Sequence, residues 1–96
     1  MSGPMSTEDS LSVPSDARIL VVDDNVQNLE LLQAYLEDLG CQIEIAHDGA
    51  EAIEMAKQRV PDVVVLDVMM PRLSGFQVCE RLKKDPATSA VPIVMV

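Results

Sequence analysis

Three aspartates stand where two aliphatic runs stop: Asp23 and Asp24 follow Ile19-Leu20-Val21-Val22, and Asp67 follows Val63-Val64-Val65-Leu66. Acids at strand ends can gather at one edge of a sheet, and two ionised carboxylates about 5 Å apart repel by about 3 kcal/mol at an effective dielectric near 20. Such a cluster calls for a bound cation or for raised pKa values. An all-oxygen site with few protein ligands, open to water, suits Mg²⁺ better than calcium. Asp24 and Asp67 are its predicted ligands. The competing structural role for the Asp23-Asp24 pair is a helix cap, since an acid before Val26 can accept backbone N–H bonds. Asp67 has no such alternative, because Val68-Met69-Met70 begins no helix.

The elements that must position these acids follow from periodicity. Residues 18 to 23 and 62 to 67 read as strands buried on both faces, the pattern of a parallel sheet. Between them, Leu29, Leu32, Leu36 and Leu39 form one helical stripe ended by Gly40. Residues 42 to 46 alternate, with Ile43 and Ile45 opposite Glu44, as expected for an edge strand. Ile53, Ala56 and Val60 mark a second helix that stops at Pro61. Met70 to Gly75 is a loop punctuated by Pro71 and Gly75, a third helix covers about 75 to 84, and a fourth strand runs from 91 to 96. Strands alternating with helices predict an α/β fold, a doubly wound parallel sheet. With the second strand at an edge the order is 2-1-3-4, the winding reverses between strands one and three, and ligands bind at the carboxyl ends there.

Composition narrows the function. The chain has 96 residues and a net charge of -9, so it lacks the positive field that nucleic acid or anionic membranes require. Only 2% of residues are aromatic, and the core is built from Val, Ile, Leu and Met. Residues 1–17, rich in Ser, Pro and acids, are expected to be a disordered acidic leader. Cys41 and Cys79 lack CxxC spacing and read as buried reduced thiols, consistent with a cytoplasmic location. The methionines form no sulfur ligand set, and His47, in a strand-to-helix turn, is unsuited to a phosphorelay histidine.

Ile19-Leu20-Val21-Val22-Asp23-Asp24-Asn25, together with Leu66-Asp67-Val68-Met69-Met70-Pro71 and Gly75, resembles the response-regulator receiver domain of two-component signalling. The resemblance covers about 18–96 and implies a flavodoxin-like fold. It implies that Asp67 accepts a phosphoryl group from a histidine kinase or phosphotransfer protein. Asp24, Asp67 and the backbone carbonyl of Met69 would ligate Mg²⁺, with Asp23 acting through a metal-bound water and N–H groups after Asp67 facing the phosphoryl oxygens. The protein would be a phosphoryl acceptor rather than a turnover enzyme. Receivers also use a Ser or Thr ending strand four and a Lys ending strand five, positions beyond Val96, so 18–96 is expected to be an incomplete receiver without the fifth strand and last helices. Each such group contributes roughly 10² to 10³ in rate by analogy with an oxyanion donor. The alternative reading is therefore a non-switching fragment or interaction module that binds Mg²⁺ without being phosphorylated. An uncovered fourth strand would also be a sticky edge, giving a homodimer. A haloacid-dehalogenase-type phosphatase is disfavoured, because that family repeats an acid two residues after its nucleophile and Met69 stands there.

Overall fold

Two aliphatic runs with no polar interruption take the middle of the sheet, where a strand pairs on both sides and its apolar side chains meet the core. The computed structural model describes residues 17–96; the expected leader lies outside the described residues, apart from Ala17, which is buried and accepts a hydrogen bond from the Gln42 N–H at 2.8 Å. The elements in chain order are β1 (Arg18–Val22), α1 (Val26–Asp38), β2 (Gln42–Ala46), α2 (Gly49–Gln58), β3 (Val63–Leu66), α3 (Gly75–Lys84) and β4 (Ile93–Met95). The sheet order is β2-β1-β3-β4 and every pairing is parallel. This is the expected doubly wound α/β fold.

Leu20, Val22, Val64 and Leu66 point to one face, where Ala52 and Ala56 of α2 and Val78 and Leu82 of α3 close over them. The small alanines let α2 approach the sheet closely, and Val78 and Leu82 are one helical turn apart. Ile19 and Val21 point to the other face, against Leu29 of α1 and Cys41. Both cysteines are free, Cys41 buried and Cys79 half-buried.

Four local expectations are corrected. The strands are shorter than 18 to 23, 62 to 67 and 91 to 96, ending at Val22, Leu66 and Met95, although Asp23, Asp67 and Val96 each still donate a backbone hydrogen bond to the neighbouring strand. Leu39 is not on the core stripe: it is the C-cap of α1 and 45% exposed, because Gly40 at φ 85° reverses the chain there. Val60 is likewise exposed, since α2 stops at Gln58 and Arg59 is already extended. Finally, β3 is buried fully on one face only. Val63 and Val65 are half-buried, because α1 packs mainly over β1 and β2 and leaves them at the margin of the Leu29 cluster.

The β4 edge was expected to be exposed, and among the described residues no strand lies beyond it. The Val64 N–H bonds to Pro92 and the Val96 N–H to Leu66, so the alternation turns the backbone groups of Ile93 and Met95 outward. Among the described residues, no helix is long and apolar enough to cross a membrane.

Candidate metal and phosphoacceptor site

The winding reverses between β1 and β3, and the acids end up there through two backbone hydrogen bonds. The Asp23 N–H donates to the Ala46 carbonyl at 3.2 Å, and the Asp67 N–H donates to the Val22 carbonyl at 2.9 Å. These bonds extend the ladder by one residue past each strand and hold the two aspartates at the same level of the sheet. Asp24 follows on the exposed turn into α1. Each of Asp23, Asp24 and Asp67 offers a carboxylate oxygen, and these oxygens all lie within 4.8 Å of one another. The structure thus brings together the three acids selected from sequence.

The pair before α1 is not a helix cap. Asn25 takes that place, its Oδ1 accepting from the N–H groups of Gln27 at 2.9 Å and Asn28 at 3.2 Å. Asp23 is turned inward instead, only 4% exposed, with one oxygen accepting from the Asn25 N–H at 2.9 Å and the other from the Asn28 amide at 3.3 Å. Asn25 and Asn28 are site-supporting residues that sequence reasoning missed. The signal that could have found them is an Asn one residue after an acid pair, where the N-cap preference is strongest.

Asp67 sits where burial and like charge both act on it. Burial raises its carboxyl above the ordinary value of 3.8, the N–H of Met69 bonded to it at 3.0 Å opposes this, and Asp23 and Asp24 push it up further. The Met69 side chain is 81% exposed and takes no part in the core. The N–H groups after Asp67 are both engaged, that of Met69 by the Asp67 carboxylate and that of Val68 by the Val96 carbonyl at 3.3 Å.

The loop carrying Asp67 is fixed from below by α3. Ser74 caps that helix in a reciprocal box with Gln77, and the Gly75 N–H donates to the Val68 carbonyl at 3.0 Å. A Cβ at Gly75 would overlap the Asp67 carbonyl oxygen and lie 2.8 Å from the Val68 Cα. Glycine is required here for close approach of two backbone segments.

With this geometry established, the sequence-family comparison is decisive: residues 19–96 match the model of the response regulator receiver domain. The chain belongs to the response regulator receiver family. This receiver is 48% identical over 80 residues to the response regulator PleD of Caulobacter vibrioides, covering 83% of the chain but only 18% of that relative. It is 45% identical over 80 residues to the protein PilH of Pseudomonas aeruginosa, covering 83% of the chain and 66% of PilH. The chain therefore spans less than a fifth of one relative and about two thirds of the other. Among solved structures, the receiver superposes on the chemotaxis protein CheY4 of Vibrio cholerae with a TM-score of 0.80 at 32% identity, covering 83% of this chain and 67% of CheY4. It also superposes on the receiver domain of the sensor histidine kinase PA1611 of Pseudomonas aeruginosa, with a TM-score of 0.80 at 28% identity, covering 83% and 66%. The PA1611 structure is described with a magnesium ion coordinated in its active site cleft.

Proposed function

We propose that this receiver takes up a phosphoryl group on Asp67, from the phosphohistidine of a histidine kinase or phosphotransfer protein, with Mg²⁺ held by Asp24, Asp67 and the Met69 carbonyl. Asp23 would reach the metal through water. The observation that supports this reading best is the meeting of three carboxylate oxygens within 4.8 Å at the carboxyl ends of β1 and β3. The donor set fits the ion: hard oxygens, one side open to solvent and a charge that is costly without a cation. When bound, Mg²⁺ neutralises charge on both the carboxylate and the incoming phosphate.

The protein's own contribution is a preset nucleophile. An Asp67 oxygen attacks phosphorus, the phosphorus–nitrogen bond of phosphohistidine breaks, and its electron pair stays on the imidazole, which then takes a proton. The product is an aspartyl phosphate. The Met69 N–H holds one Asp67 oxygen and leaves the other to react. Asp23, held by the Asn25 N–H and the Asn28 side chain, keeps its carboxyl in one orientation within the cluster.

Incubation with acetyl phosphate and Mg²⁺, read by intact mass, tests the proposal. A gain of one phosphoryl group is expected. The engaged Val68 N–H favours the alternative, a Mg²⁺-binding module that is not phosphorylated, and no mass gain with Mg²⁺ still bound would select it.

The raised Asp67 carboxyl also has a stability consequence. Its protonated form is favoured in the folded state, so the fold is most stable on this account below the ordinary pKa of 3.8 and loses stability as pH rises through the raised value. Without divalent metal at about pH 7, Asp67→Asn should therefore melt higher than the parent chain, by on the order of 1 kcal/mol after allowing for solvent screening. The gap should narrow toward about pH 4. Mg²⁺ at roughly 100 times its Kd should stabilise the parent by about 2.7 kcal/mol and the variant far less. Equal Mg²⁺ shifts in both proteins, followed by thermal melting, would remove Asp67 from the metal site.

The outward backbone groups of Ile93 and Met95 further support self-association of the 96-residue chain through β4. Light scattering after size exclusion should show the apparent mass rising with concentration at tens of micromolar. A constant monomer mass would reject the edge as an interface.

A further inference from the structure

We propose that the groove between α2 and α3 is a docking site for an acidic peptide segment of a partner protein. It is a cavity of about 380 Å³ lined by Ile53, Lys57, Arg81, Lys84 and Asp85. Three of the chain's seven basic residues thus share one cavity, in a protein of net charge -9. The ordinary role of such residues is to complement the C-terminal ends of their helices, whereas Lys83 ties down the segment that follows α3, its Nζ donating to the carbonyls of Ser89 and Val91 at 3.2 and 2.8 Å. Lys57, Arg81 and Lys84, from two different helices, face a common space instead.

The pairs they make are loose. Lys57 lies 3.8 Å from Asp85 and Lys84 lies 3.8 Å from Glu80, both lysines being more than half exposed. Exposed pairs of this kind contribute little and are readily exchanged for a partner's carboxylates. Arg81 has no ion-pair or hydrogen-bond partner among the described residues, so its planar fork is free to take a carboxylate with two parallel bonds. Ile53 offers an apolar floor, which suits a peptide that interleaves acids with an aliphatic side chain.

The protein's own acids do not spoil this field. Arg81 and Lys84 lie six and nine residues beyond Gly75, which starts α3 beside the Asp67 backbone, so they stand about 9 and 14 Å along the helix from that end. Both distances exceed the Debye length of about 8 Å at physiological salt, so the carboxylate cluster is largely screened from the groove. Only Asp85 opposes an acidic ligand from within the lining.

The test uses the full 96-residue chain, labelled with ¹⁵N, and an end-capped peptide alternating Glu and Leu. Amide shifts should move at Ile53, Lys57, Arg81, Lys84 and Asp85, with affinity falling about tenfold in Arg81→Gln/Lys84→Gln and falling again as salt rises. Arg81→Lys, which keeps charge but loses the fork, should fall in between. Asp67→Asn should bind like the parent, so this test is independent of phosphorylation. The proposal is overturned by no shifts at millimolar peptide, by shifts centred elsewhere, by an unchanged affinity in the double variant, or by inorganic phosphate or a Lys-Leu peptide binding equally well.

Discussion

Asp67→Asn is expected to abolish the phosphoryl mass gain from acetyl phosphate and Mg²⁺, with the rate falling by more than about a thousandfold. The substitution changes shape very little, but an amide nitrogen replaces the attacking oxygen and one negative charge leaves the cluster of Asp23, Asp24 and Asp67. Its effect on the fold has the opposite sign, since removing that charge relieves repulsion within the set. Loss of labelling together with a raised melting temperature would therefore be a signature of chemistry lost without structure lost. Comparable labelling of the variant, located by peptide mapping to Asp24 or another acid, would show that Asp67 is not the acceptor.

Gly75→Ala is expected to be the most damaging single methyl group that can be added near the site. The new Cβ would overlap the Asp67 carbonyl oxygen and sit 2.8 Å from the Val68 Cα and 3.0 Å from the Asp67 carbonyl carbon. All three are backbone atoms of the segment that carries the acceptor, so no side chain can swing away to make room. Overpacking typically costs about 1 to 3 kcal/mol, and this contact belongs at the upper end. For a domain of this size 3 kcal/mol corresponds to a fall in Tm of roughly 12 to 24 °C. Where the fold survives, the Asp67 loop must shift, so Mg²⁺ affinity and phosphoryl uptake should fall together. A melting temperature within a degree or two of the parent would show that the loop yields freely and that its rigidity does not matter.

These two variants mark the difference between what was readable in the chain and what was not. The nucleophile candidate was legible, because an acid closing an uninterrupted aliphatic run stands out from any strand pattern. The glycine was legible only as loop punctuation. Its real function, letting α3 start against the backbone of Asp67 and Val68, depends on a contact that residue types do not announce. The same holds for Asp23. Sequence placed it in the cluster but allowed it to be a cap, and the structure shows Asn25 capping α1 while Asn28 and the Asn25 N–H immobilise the acid.

Hydrophobic spacing located the elements well and their ends poorly. Leu39 and Val60 continue the apolar rhythm of α1 and α2, yet both are exposed, because Gly40 and the extended Arg59 stop the helices first. Valine runs cannot report which face a helix will cover. Val63 and Val65 are as apolar as Val64 but remain half-buried, since α1 packs over the β1 and β2 side of its face.

Residue order was enough to establish the alternation of strands and helices and the three acids at strand ends, because periodicity and strand-end chemistry are local properties of a chain; the sheet order 2-1-3-4 needed in addition the edge pattern of the second strand and the family resemblance. Tertiary structure decided how close those acids come, which asparagines hold one of them still, and that basic side chains of two helices face one groove. Distances of that kind depend on register between segments far apart in the chain, here on single hydrogen bonds from Asp67 to Val22 and from Asp23 to Ala46, and no local pattern encodes them.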